Sequence, residues 1–217
     1  KVRPEYLVAN TAHSLWGEAY GYKTGWLLQD VEEFHEAGIK LIGYLTSGYG
    51  GKGSASGLES RWYTLEMNQR LVRNMAELDG IDGVFIDECS AYPEDSEKAY
   101  LKQLSDLAHN YGLIVWGNVG ENDFDSWYFT DGGFDFINST EQWYGQDLTP
   151  VQTEWGNRIS VIGLKAGHKL HEAEELTIDA WQKGLAYCYV TRSYVLLPPW
   201  IEEFAARLRL VAGNAAA

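Results

Sequence analysis

"GIDGVFIDECS", residues 80–90, decides how this chain is read. An apolar run, Val84-Phe85-Ile86, ends abruptly in two adjacent carboxylates, Asp87 and Glu88. Acids are depleted inside strands, and burying one is costly unless it is paired or hydrogen-bonded. The run is therefore expected to be a strand whose acids mark its end. A two-residue period sends Phe85 and Asp87 to one face and Ile86 and Glu88 to the other. One acid, Asp87, is expected to point into whatever the strand end faces. A loop anchor or a helix cap would use the same residue types.

The same pattern recurs on either side. "EYLVAN" (5–10), "KLIGYLTSG" (40–48), "GVFIDE" (83–88), "LIVWGNVG" (113–120), "DFINSTEQW" (135–143), "ISVIGLKAG" (159–167) and "YCYVTRS" (187–193) read as strands. Helical spacing occupies 27–38, 64–80, 96–112 (from a Ser96 cap), 177–188 and 199–213. Strands alternating with helices imply a mainly parallel sheet with right-handed crossovers. Fully apolar strands are expected when both faces are covered. No break in composition divides the chain, so residues 1–217 read as a single domain. An open doubly wound sheet and a TIM-type (β/α) barrel both fit this α/β pattern. The barrel is favoured because Asn10, Thr46, Asp87, Asn118 and Glu141 follow strand ends, which a barrel gathers at one mouth. Only seven strands are recognisable, one short of eight.

Hydrophobic residues make up 45% and charged residues 22%, as in globular chains. The net charge of -14 disfavours nucleic acid and anionic membrane surfaces and attracts cationic ligands. Nine Trp and 14 Tyr offer rings suited to the apolar faces and hydroxyl edges of sugars, although most are expected in core and rim. Cys89 and Cys188 are too few for a disulfide framework or a cysteine zinc site, and whether they pair is open. No apolar run approaches the length of a membrane span. The chain starts at Lys1 with no leader, so it reads as a processed or excised piece.

Ile137, Ser139 and Glu141 share a strand face, where the small Ser139 would leave room for a ligand. Asp87 and Glu141 at the same end of one barrel form a carboxylate pair, the minimal equipment for glycoside hydrolysis. "GYGGKG" (48–53) matches a dinucleotide fingerprint only superficially, because loop residues follow where a helix should start. A loop over the mouth fits it better. "HKLHEAEE" (168–175) brings His168, His171, Glu172 and Glu174 near one another, a weak metal pattern. "NST" (138–140) matches a glycosylation acceptor but falls in an expected buried strand.

"GYLTSGYG", then "DGVFIDE", "VWGNVG" and "FINSTEQW", in this order, resemble the spherulin-4-like glycoside hydrolases and the wider group of endo-α-1,4-polygalactosaminidase barrels. The resemblance covers about residues 5–205. Asn10-Thr11 stands where the family has Asn-Pro, and Asn118-Val119-Gly120 where it has Asn-Pro-Gly. The family's DE strand is its fourth but the third here, which implies an N-terminal strand missing or supplied unconventionally. The resemblance implies cleavage of α-1,4-linked, partly deacetylated galactosamine polymers, without cofactor, outside the cytoplasm. Asp87 would be nucleophile or electrostatic partner, Glu141 the acid/base, and Glu88 a third site carboxylate that tunes or holds. Tyr44, Tyr49, Asn118, Trp143 and Tyr194 would line the substrate. A sugar-binding or structural barrel without turnover is the competing class.

Overall fold

The computed structural model describes residues 5–20, 31–164, 169–191 and 199–215. Its elements run β1 (Tyr6–Ala9), α1 (Leu15–Tyr20), α2 (Val31–Glu36), β2 (Lys40–Thr46), a tight turn α3 (Gly48–Gly51), α4 (Leu65–Asn74) and β3 (Gly83–Asp87). They continue with α5 (Asp95–Asn110), β4 (Ile114–Asn118), α6 (Trp127–Thr130), β5 (Phe136–Thr140), α7 (Pro150–Trp155), β6 (Ile159–Leu164), α8 (Leu170–Gln182), β7 (Tyr187–Thr191) and α9 (Ile201–Ala215). Seven parallel strands among the described residues lie in sequence order, β1 to β7. This is the α/β topology of the TIM-type barrel, in which each strand pairs with the next. No described helix is long and apolar enough to cross a membrane.

Contacts group the chain into two units. Of the described residues, the larger holds those within 3–120 and 124–137, and the smaller those within 121–123 and 138–217. In the larger unit, Leu41, Leu45, Val84, Ile86 and Val115 on the strands and Leu71, Leu101 and Leu104 on the helices are buried. The opposite strand face is aromatic: Tyr6 meets Trp116 edge-on at 5.7 Å, and Trp116 lies 4.8 Å from Phe136. In the smaller unit, Ala173, Val190 and Phe204 form a core with Leu170, Leu176 and Trp200.

Helix ends follow local chemistry. Thr64 caps α4 by accepting from the Met67 amide, and the chain turns out at left-handed Gly80. The expected Ser96 cap is corrected: α5 begins at Asp95 with Glu94 as its cap, so Ser96 is already inside the helix. The expected 177–188 helix is likewise corrected to Leu170–Gln182, since Gly184 at φ 82 ends it before β7. The thiols Cys89 and Cys188 are both free.

The strands' amino ends carry a repeated clasp. The Asp82 carboxylate, just before β3, accepts from the Leu41 amide of β2 at 2.8 Å and meets His35 of α2 at 2.8 Å. Asp135, just before β5, accepts from the Val115 amide of β4 at 2.8 Å and meets His109 of α5 at 3.0 Å. The backbone answers in kind, Asp82 N–H to Leu41 O and Asp135 N–H to Val115 O. Each clasp fixes one strand's offset from the one before it. Replacing either acid with Ala leaves a strand amide without its partner. Asp82→Ala and Asp135→Ala are each expected to lower unfolding free energy by about 1–3 kcal/mol. Urea denaturation with an unchanged slope checks this.

Candidate active site

Parallel register builds the site. Tyr44 pairs with Phe85 and Thr46 with Asp87, while Phe85 pairs with Trp116 and Ile86 with Gly117. Register partners share a face, so Tyr44, Thr46, Phe85, Asp87, Trp116 and Asn118 all belong to one side of β2–β4. The expected alternation therefore holds as far as Asp87. Its Oδ2 accepts from the Tyr44 hydroxyl at 2.5 Å. Its Oδ1 accepts from Asn118 Nδ2 and from the Glu88 amide, both at 2.8 Å. An ionised carboxylate is acceptor-only, and these donors match it. Trp16 of α1 stacks on Tyr44 at 6.4 Å and Tyr44 on Phe85 at 6.2 Å, forming an aromatic wall beside the carboxylate.

Glu88 does not continue the strand. Its φ of 56° turns the backbone out of β3, so the expected alternation from Ile86 to Glu88 is corrected. Its Oε2 accepts from the Thr46 hydroxyl at 2.5 Å. Its Oε1 accepts from the Ser54 hydroxyl at 3.0 Å, the Ala55 amide at 2.7 Å and the Ser56 amide at 3.3 Å. Its carbonyl accepts from the Tyr49 amide at 2.9 Å and the Ser47 hydroxyl at 2.7 Å. Tyr49 sits in the glycine turn, where a loop is expected, and the residue is 38% exposed. Partial burial, then the charges of Glu88 and Asp87, raise its phenol above the ordinary value, so it stays a neutral donor.

A buried polar layer holds the segment after β3. The Cys89 amide donates to Asn118 O at 3.0 Å. Glu97, buried at the start of α5, accepts from the Ser90 amide at 2.8 Å and the Ser90 hydroxyl at 2.7 Å. Tyr128 donates to Ser90 O at 2.6 Å.

In the smaller unit, Glu141 is half-buried one residue past β5, its carbonyl accepting from the Leu164 amide at 3.2 Å. Two expectations are corrected here. Ser139 leaves no room for ligand, because it is wholly buried and accepts from Gln152 of α7 at 2.9 Å. Trp143 has no exposed surface and donates to Leu176 O at 3.3 Å, so its indole packs rather than lines. Asn138 of the acceptor motif is also buried. Tyr194 and His168 lie outside the described residues. His171, Glu172 and Glu174 lie on α8, where Glu174 pairs with Arg207 at 3.3 Å. Among the described residues no group of three metal-binding side chains occurs.

Trp16 and the Ser54–Ser56 loop were not singled out from the sequence. Trp16 had a usable signal, an aromatic shortly after a strand's carboxyl end.

No protein-family model and no curated protein matches the sequence. Solved structures do match in fold. Sph3 from Aspergillus clavatus, determined in complex with GalNAc, superposes with a TM-score of 0.60 at 14% identity, over 93% of this chain and 84% of that one. The chitinase-like agglutinin RobpsCRA from Robinia pseudoacacia gives 0.50 at 10% identity, over 95% of this chain and 94% of that one. A chitinase from Bacteroides thetaiotaomicron gives 0.49 at 10% identity, over 80% of this chain and 75% of that one. The fold is thus one shared with Sph3 and with the agglutinin.

Buried thiols and phenols give stability a sign in alkali. Burial, followed by the Asp87 and Glu97 charges, pushes the Cys89 thiol well above its ordinary value near 9. Burial pushes Cys188 up to about 12 and raises the phenols of Tyr100 and Tyr128. The unfolded chain ionises these groups first, so their contribution is complete below about pH 9 and is lost as pH rises toward about 12. Urea midpoints are expected to fall between about pH 8 and about pH 10.5. An unchanged midpoint would contradict the burial argument.

Proposed function

We propose that the chain is a glycoside hydrolase that cleaves α-1,4-linked galactosamine or N-acetylgalactosamine polysaccharide outside the cytoplasm, working as one catalytic domain. The observation that carries this reading is the Asp87 carboxylate, held at the end of β3 by Tyr44 and Asn118 beside the Trp16–Tyr44–Phe85 rings. Fixed donors hold an anion in one place, and rings beside it suit the C–H faces of a sugar. The fold shared with Sph3, solved with GalNAc, supports an amino-sugar substrate.

In this proposal Glu141 protonates the glycosidic oxygen as the bond to the anomeric carbon breaks. Asp87 faces the positive charge that develops there, as nucleophile or as electrostatic partner. Glu141 then takes the proton of the water that completes hydrolysis. Tyr44 and Asn118 act through Asp87, and Tyr49 contributes a neutral hydroxyl to the wall. Two carboxylates suffice for this chemistry, so the proposal includes no cofactor.

A second reading, a sugar-binding barrel without turnover, draws on the likeness to a chitinase-like agglutinin. Release of reducing ends from partly deacetylated galactosaminan separates the two, since a binder retains the polymer and releases none. Asp87→Asn and Glu141→Gln are each expected to abolish release while leaving circular dichroism and the urea midpoint unchanged. The loss should be several kcal/mol of barrier, at about 1.4 kcal/mol per tenfold. Near wild-type turnover in either variant would remove that residue from the mechanism.

The net charge of -14 adds a condition on substrate. A polymer with free amines should be cleaved faster than its fully acetylated form. Salt should shrink the difference, because exposed charges are screened over about 10 Å at 0.1 M. Initial rates on both polymers across a salt series check this.

A further inference from the structure

We infer that Glu88 is a positioning residue: it latches the Ser54–Ser56 loop to the end of β3, beside Asp87. The inference rests on the proposed function for its kinetic consequence, but not for its structural one.

The first observation is strain. Among the described residues only Tyr49 (φ 53°) and Glu88 (φ 56°) are left-handed without being glycine. They are joined directly, the Tyr49 amide donating to the Glu88 carbonyl at 2.9 Å. Left-handed backbone is unfavourable for side chains of this size and persists where the surroundings over-determine it. At Glu88 it directs the side chain and carbonyl away from the strand path, the carboxylate to the Thr46 hydroxyl and the Ser54–Ser56 loop and the carbonyl to the Tyr49 amide.

The second observation is the donor inventory. Glu88 Oε1 faces the Ala55 amide at 2.7 Å, the Ser54 hydroxyl at 3.0 Å and the Ser56 amide at 3.3 Å. Oε2 faces the Thr46 hydroxyl at 2.5 Å. Backbone amides cannot reverse their polarity. Oε1 thus faces two donors that can only donate, which suits it to hold the loop. Of the two roles expected of this third carboxylate, tuning and holding, the geometry favours holding. The loop it holds has exposed residues at Ala55 and Ser56 and glycines on either side, Gly53 and Gly57, the latter at φ 71°. Thr46, which closes the latch, is the register partner of Asp87, so loop and carboxylate are fixed at one level.

Glu88→Gln keeps an acceptor for the loop amides, whereas Glu88→Ala keeps none. Hydrogen exchange at Ala55 and Ser56 reads the latch without any substrate. Exchange there is expected to rise at least about tenfold in Glu88→Ala and much less in Glu88→Gln. On substrate, Glu88→Gln should keep kcat within about tenfold and both limbs of the pH profile, while Glu88→Ala raises KM. Unchanged exchange in Glu88→Ala would overturn the inference. So would a Glu88→Gln variant as inactive as Asp87→Asn with its loop amides still protected, because Glu88 would then carry a proton. An active Asp87→Asn would instead defeat the proposed function and leave the exchange result to judge the latch.

Discussion

The register of β2, β3 and β4 is the constraint on which the candidate site depends. Asp87 lies one step beyond the Ile86–Gly117 pair, so Asn118 falls opposite it and Tyr44 two residues short of its partner Thr46. A slip by one residue would send these side chains to the helical face. Packing guards against the slip. A Cβ at Gly43 would lie 2.5 Å from Met75 Sδ, and one at Gly117 would lie 2.8 Å from the Phe134 ring. Met75 and Phe134 therefore each have a glycine to sit on, and a shifted strand would offer them a side chain instead.

The second constraint is how neighbouring acids coexist. Dipoles face Asp87, Glu88 and Glu97: hydroxyls of Tyr44, Thr46, Ser54 and Ser90, the Asn118 amide group and several backbone amides. Dipoles stabilise a carboxylate locally without cancelling its charge. Donors of this kind leave a carboxylate's negative field in place, in keeping with a chain of net charge -14.

All seven strands were legible because buried parallel strands leave uninterrupted apolar runs. The short helices were not, since α1, α6 and α7 span only six, four and six residues and show no period. α7 did carry a signal in "TPVQ": Thr149 and Gln152 form a capping box with Pro150 at the first turn. Asp87 was placed by alternation alone. Glu88 was misdirected because nothing in its identity announces a φ of 56°. Trp143 and Ser139 show the complementary limit. An aromatic or a small polar residue near a strand end fits a core as well as a cleft, and only the helix packed over it decides.

The Asp82 and Asp135 clasps recur with their surroundings. His35, Gly38 and Leu41 are spaced as His109, Gly112 and Val115, and both glycines are left-handed. The same small module thus serves two successive strand pairs at the amino ends, while the carboxyl ends of β2 and β3 carry the polar groups of the candidate site. Folding information and chemistry are filed at opposite ends of the strands. Mutation can rewrite the loops at one end without disturbing the instructions for register at the other, which leaves such a scaffold free to acquire new specificities one loop at a time.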